Sequence, residues 1–189
     1  MLKEIHKLLD EADVVIHYNG KKFDIPTLNK EFLLHGLTPP APYKQIDLLK
    51  EVRSNFKFIS NKLDYVAQAL KLGQKVKHKG HQLWVDCMAG KEDAWQQMEE
   101  YNIQDVELLE KLYDSLKPWI KSHPNHGLYG EVFDSHVCPN CSSGKLRRRG
   151  YAYSNTYRYQ RYQCTDCGKW SRGAKSLGPK VENKVIGLP

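Results

Sequence analysis

The sequence predicts an α/β domain followed by a small β module, and three observations carry that prediction. The apolar run Val14-Val15-Ile16 is β-branched and reads as a buried strand, broken by Asn19-Gly20 before a helix start at Ile25-Pro26. A strongly helical stretch runs from Ala94 to Leu116. Beyond it, two CxxC pairs, Cys138-Pro139-Asn140-Cys141 and Cys164-Thr165-Asp166-Cys167, bracket 22 residues, 142–163.

Taken in order, residues 2–12 place Leu2, Ile5, Leu8 and Leu9 at helical spacing and leave Lys7, Asp10 and Glu11 to solvent, a plain amphipathic helix. The Val14 strand follows. Pro26 suits the first turn of a helix, so Asp24 stands at a helix start beyond the carboxyl end of a strand, where α/β folds place their sites. An N-cap is the plainer role for such an aspartate, and both readings stay open on this segment alone. The helix continues through Leu28, Phe32 and Leu33 to a stop at Gly36, and Pro39-Pro40-Ala41-Pro42 makes a stiff connection.

Gln45 to Leu49 fits either a second strand or a helix start, and spacing assigns Asp47 no role beyond a structural one. Asn61 to Leu72 reads as a helix capped by Ser60 or Asn61, with Leu63, Val66, Ala67 and Leu70 inward and Gly73 ending it. The basic stretch from Lys75 to His81 reads as an exposed loop able to touch a phosphate backbone. His78 and His81 lack a third donor for a metal. Trp84, Trp95 and Met98 read as packing residues and Cys87 as a small buried hydrophobe. After Trp119 the periodicity is lost through residues 122–127, so 122–137 reads as a linker between a domain of residues 1–121 and a module of residues 138–173, with 174–189 a flexible tail.

The long helix carries a second feature. A spacing of four puts Tyr101 and Asp105 on one face, one turn apart. Asn19-Gly20-Lys21-Lys22-Phe23-Asp24 resembles the second motif, and Tyr101-x-x-x-Asp105 the tyrosine form of the third motif, of the DnaQ-like 3′-5′ exonucleases with an RNase H-like fold, nearest the YprB-type branch. The order of strand, Asp24 helix, Ile46-Asp47-Leu48-Leu49 segment and Tyr101 helix matches over about residues 1–120. The resemblance implies hydrolysis of nucleic-acid phosphodiesters with two Mg2+ or Mn2+ ions. Asp24 and Asp105 would be ligands, Tyr101 would orient the attacking water, and Asn19 would contact the strand. It also implies an Asp-x-Glu pair on a first strand, and no such strand precedes the first helix here. The expected domain is therefore partial, at most two strands of a marginal sheet, completed by a missing N-terminal segment or a second polypeptide. A non-catalytic nucleic-acid-binding descendant of such a nuclease is the competing expectation.

Composition sets the frame for both. With 189 residues, 40% of them hydrophobic and 27% charged, the chain has an ordinary soluble composition. No apolar run approaches the ~18–20 residues that span a bilayer, and no signal-peptide pattern opens the chain, so a cytoplasmic protein with no membrane contact is expected. The net charge of +7 is unevenly placed: residues 1–137 carry 18 Lys+Arg against 20 Asp+Glu, a balance of −2, whereas residues 138–189 carry 11 against 2, a balance of +9. So basic a tail is the electrostatic footprint of a nucleic-acid partner.

Two CxxC turns that each present two thiolates at one point close the tetrahedral shell preferred by structural zinc, making Cys138, Cys141, Cys164 and Cys167 the expected Zn2+ ligands. Between them, tyrosines at 151, 153, 157, 159 and 162 alternate with Arg147, Arg148, Arg149, Arg158 and Arg161, interrupted by Ser154-Asn155-Thr156. That is the pattern of a β-hairpin, and the module resembles a zinc ribbon. Tyrosines such as Tyr157 and Tyr159 can stack on bases while the arginines meet phosphates, the mode of sequence-tolerant binding to single-stranded DNA. The remaining tyrosines are expected to supply the small core, with one role on each face.

Overall fold

Val14, Val15 and Ile16 do form a strand, and it is the first of a parallel pair. In the computed structural model, which describes residues 1–74, 80–129 and 136–178, β1 (Val14–His17) pairs with β2 (Lys44–Asp47) in the register Val14↔Lys44 to His17↔Asp47. Parallel neighbours need a crossover, and α2 (Asp24–Leu34) supplies it. Gly36, at φ +68, stops α2 as its composition suggested: the Leu37 N–H reaches back to the Phe32 carbonyl at 2.9 Å, closing a turn that only a left-handed residue allows. Gln45 to Leu49 resolves into both expected options at once, since β2 ends at Asp47 and α3 (Leu48–Asn55) begins on the next residue.

The chain falls into two compact units, residues 1–116 and 117–189. The first adds α1 (Leu2–Glu11), α4 (Leu63–Ala69), α5 (His81–Met88) and α6 (Glu92–Leu116) to these elements. Its core is aliphatic and aromatic: Leu9, Phe32, Ile46, Leu48, Val52, Val66, Leu108, Leu112 and Leu116 are all buried. The long α6 packs against α3, α4 and α5, and with α5 it closes a local cluster of Leu83, Cys87, Ala94 and Met98. Cys87 and Met98 are therefore packing residues as expected, but Trp84 and Trp95 are 55% and 53% exposed. Each lies one residue, about 100° of helix, away from the buried Leu83 or Ala94, so the small neighbours take the interface and the indoles face outward. The end of α4 also differs from expectation. Lys71, at φ +58, makes the reversal rather than Gly73, with the Leu72 N–H on the Ala67 carbonyl at 2.9 Å.

In the second unit β3 (Leu146–Tyr153) and β4 (Arg158–Cys164) form the antiparallel hairpin the alternation predicts, and β5 (Trp170–Arg172) adds a third strand that a run of three residues does not announce. Pairing extends past Gly173, because Arg158 exchanges backbone hydrogen bonds with Leu177 and Gly178. The segment before the cysteines belongs to this unit too: Ile120 is buried, a 3-10 turn spans His126–Leu128, and the His126 N–H donates to the Pro139 carbonyl at 2.8 Å. The basic stretch 75–79 with His78, linker residues 130–135 and tail residues 179–189 lie outside the described residues. Among the described residues no helix is long and apolar enough to cross a membrane.

Candidate functional site

The turn after β1 is held in one shape by three local constraints. Asn19 adopts φ +68, the left-handed region that asparagine tolerates better than most residues. Gly20 donates its N–H to His17 Nδ1 at 3.1 Å, and a Cβ there would lie 2.7 Å from the His17 ring, so no larger residue fits. The Asn19 N–H donates to Asp47 Oδ1 at 2.9 Å, and the Leu49 N–H donates to the same oxygen at 3.1 Å. Asp47 is thus the N-cap of α3 and the tie between the two strand ends, a structural role that spacing alone did not specify.

Asp24 is not a cap. Phe23 occupies the N-cap position of α2, no side-chain cap bond forms there, and Asp24 is the first helical residue, with its carboxylate exposed at the positive end of the helix dipole. Among the described residues it makes no hydrogen bond or ion pair, which leaves its oxygens open to a ligand. Tyr18, which the sequence reading passed over, lies half-buried beside this turn and donates its hydroxyl to the Asn61 carbonyl at 2.7 Å. Burial pushes its pKa up to about 12; Asp47 adds to the shift and Arg53 opposes it.

On α6, Ala94, Met98, Leu108, Leu112 and Leu116 are buried, and Tyr101 and Asp105 fill the gap in that three-four spacing. A carboxylate in an otherwise apolar stripe is a local inconsistency of the kind found at functional or strained positions. Tyr101 is half-buried and packs against Leu83, Cys87, Ala94 and Met98, so part of its surface serves the core whatever else its hydroxyl does. Among the described residues no set of three carboxylates or histidines converges on one point around Asp24 or Asp105. These two side chains by themselves do not fit a two-ion site, which needs several carboxylates. His81 is exposed as expected, but it opens α5 rather than lying in a loop.

The cysteines do converge. The sulfurs of Cys138, Cys141, Cys164 and Cys167 all lie within 4.8 Å of one another. Cys138 to Cys167 and Cys141 to Cys164 are both 3.7 Å, too long for a disulfide and close to the ~3.8 Å edge of a tetrahedron with metal–sulfur bonds of ~2.3 Å. Each pair is shaped by a tight turn. The Ser142 N–H returns to the Cys138 carbonyl at 2.9 Å and the Gly168 N–H to the Cys164 carbonyl at 3.1 Å. Buried Asn140 donates to Cys167 Sγ at 3.6 Å. Burial raises the Cys138 pKa and pushes that of Cys141 up to about 12, whereas burial at Cys164 is outweighed by backbone N–H donors from Cys167 and Asp166, which bring it down to about 7. The set can hold a zinc ion, which fixes all four as thiolates.

Each face of the hairpin carries both tyrosines and arginines. A bulge between Arg148 and Tyr151 interrupts the alternation of β3, and Gly150 at φ +67 accommodates it. Arg149 then reaches Trp170 at 6.0 Å, Arg161 lies 5.0 Å from the same ring, and Arg172 lies 4.0 Å from Tyr159. By strand alternation Arg147 shares that face through its partner Gln163. The opposite face holds Tyr151, Tyr153, Tyr162 and Arg148, with half-buried Arg158 4.8 Å from the Tyr151 ring. Aromatics and arginines are therefore mixed on both faces. Tyr157 stands in the Ser154 turn, 46% exposed. Trp170 and Arg172, absent from the sequence-level site, join it here.

No curated protein matches the chain in sequence. The RNase_H_2 family model, of the RNase H superfamily, matches residues 1–117, which are the elements from α1 through α6 that place Asp24, Tyr101 and Asp105. Nucleases are the general occupation of that superfamily. By this match the chain belongs to the RNase_H_2 family.

Proposed function

We propose that residues 1–116 are part of a DnaQ-like 3′-5′ exonuclease domain, near the YprB-type branch, and that residues 138–173 are a zinc ribbon that holds the nucleic-acid strand. The observation that carries the first half is Asp105, an acid with Tyr101 in the apolar stripe of α6, in a chain whose Asp24 stands exposed beyond the carboxyl end of a parallel strand. In this reading Asp24 and Asp105 are two ligands of a Mg2+ or Mn2+ pair, completed by carboxylates from a preceding segment or a second polypeptide. When bound, the ions supply the activated water and stabilise the leaving oxygen. Tyr101 hydrogen-bonds that water, a task that suits a phenol hydroxyl better than acting as a base at neutral pH. Single-stranded DNA is the proposed substrate, with Asn19, Arg147, Arg148, Arg149, Arg158 and Arg161 as strand contacts and Tyr157 and Tyr159 as stacking residues.

The deciding experiment is degradation of an end-labelled strand by the chain alone and with the upstream coding segment co-expressed. Activity that appears only with the upstream piece and is lost in Asp24→Asn and Asp105→Asn supports the split enzyme. Activity in neither supports a non-catalytic nucleic-acid-binding protein descended from such a nuclease. The second reading is favoured by the absence, among the described residues, of a convergent carboxylate set.

A further inference from the structure

Beyond the carboxyl ends of β1 and β2 a pocket of about 310 Å3 opens, with four cations and one carboxylate in its lining. Lys21 and Lys22 come from the turn after β1; Lys50 and Arg53, three residues apart, come from one face of α3. All four are exposed, and among the described residues none of them is within ion-pair distance of a carboxylate. The acid in the lining is Asp47, and it is already engaged. Its side chain is only 9% exposed, and one oxygen accepts both the Asn19 and Leu49 N–H groups. Four cations against one carboxylate leave a net positive hollow whose cations repel each other in the free protein, and an anion seated there lowers that cost. Asp24, Tyr101 and Asp105 do not line this pocket, so its purpose is separate from theirs.

We infer that this pocket binds a phosphate group. Its size admits one tetrahedral dianion with part of what it is attached to, Arg53 offers a forked pair of donors, and the three lysines add point charges on the rim. A nucleic-acid backbone and a free phosphate or mononucleotide share this chemistry, and the nucleic-acid reading above is needed only to choose between those sources. If the source is a strand, the site grips its backbone and carries no sequence information.

The test uses the full zinc-loaded chain and follows the backbone amide resonances of Asn19, Leu49 and Lys50 during titration with inorganic phosphate, deoxyadenosine monophosphate and an eight-residue thymidine oligonucleotide. Saturable shifts with the oligonucleotide alone assign a backbone phosphate, and saturation by phosphate or the mononucleotide assigns a free ligand; either supports the pocket. Lys50→Gln/Arg53→Gln is expected to weaken the responding probe roughly tenfold. For the strand it should also reduce the slope of log affinity against log salt by about one, near the value of ~0.7 per phosphate for single strands. Lys21→Gln/Lys22→Gln should act in the same direction, whereas Lys3→Gln/Lys7→Gln on α1, with the same loss of charge, should change little. Shifts absent for every probe, or unchanged in both pocket variants, overturn the inference. A strand that still binds through Arg147 and Arg149 under those results leaves the nuclease reading untouched.

Discussion

The two units of this chain are stabilised by different means. In residues 1–116 the buried side chains are chiefly leucines and valines, with alanines, an isoleucine, a phenylalanine, a methionine and a cysteine, contributed by six helices and a strand. Among the described residues of the second unit they are Cys138, Cys164, Asn140 and Ile120, and the large aromatics of the sheet stay at least partly exposed. Four buried residues, three of them small or polar, cannot offset the conformational entropy of the unit by burial alone. The first unit therefore depends on packing, and the second depends on its sulfurs.

Removing the metal should break this comparison open, with the largest effect of all. Chelation, or Cys164→Ser, is expected to abolish the β3–β4–β5 sheet, because structural zinc contributes on the order of 10 kcal/mol or more to so small a fold. The helical circular dichroism of residues 1–116 should persist. Native mass spectrometry and amide dispersion read the two units separately, and a sheet that survives full chelation would refute the dependence on sulfur.

The reverse perturbation is Leu112→Ala. Leu112 is fully buried in α6, so its truncation should cost the first unit about 2–5 kcal/mol in urea unfolding while zinc stoichiometry stays unchanged. Asp47→Ala comes next. It removes the cap of α3 and the tie to Asn19, for an expected loss of about 1–2 kcal/mol. Zinc content that fell in either variant would mean the units are not independent.

How much of this was legible in the sequence follows the same division. The cysteine spacing specified four convergent ligands because two CxxC turns leave few other arrangements, and the structure puts the sulfurs at tetrahedral distances. The helices around Asp24 and Tyr101 were legible because their periodicity is local. What was not legible depended on contacts distant in sequence. Asp47 acquires its role only when β1 lies beside β2, 28 residues apart along the chain at the Asn19 hydrogen bond. The lone Gly150 inside the alternating run is the signal of the bulge, and without it the place of Trp170 beside Arg149 is not legible. Trp84 and Trp95 were misjudged because size suggested burial, whereas helix phase gave the interface to Leu83 and Ala94.

The smallest expected effect concerns pH and sharpens the contrast from the first unit alone. Burial lifts the Tyr18 pKa to about 12, so folding favours the neutral phenol that donates to Asn61. Its contribution is complete below pH ~10, the ordinary tyrosine value, and is lost as pH climbs through about 12. Urea melts of the zinc-loaded chain across that window should show a decline that Tyr18→Phe flattens. An identical decline in the variant would assign it to other groups.

The hydrogen bonds from His126 to Pro139 and from Lys169 to the Ile120 carbonyl bear on where the chain can be cut. A fragment beginning at Cys138 would remove the Ile120 carbonyl that Lys169 donates to and uncover the Pro139 carbonyl beside the first cysteine turn. One beginning at Lys117 keeps both bonds, and with them the buried Ile120. Protease resistance of residues 117–129 in the zinc-loaded protein, lost on chelation together with that of the sheet, would mark this segment as a belt fastened by the metal-bound turn.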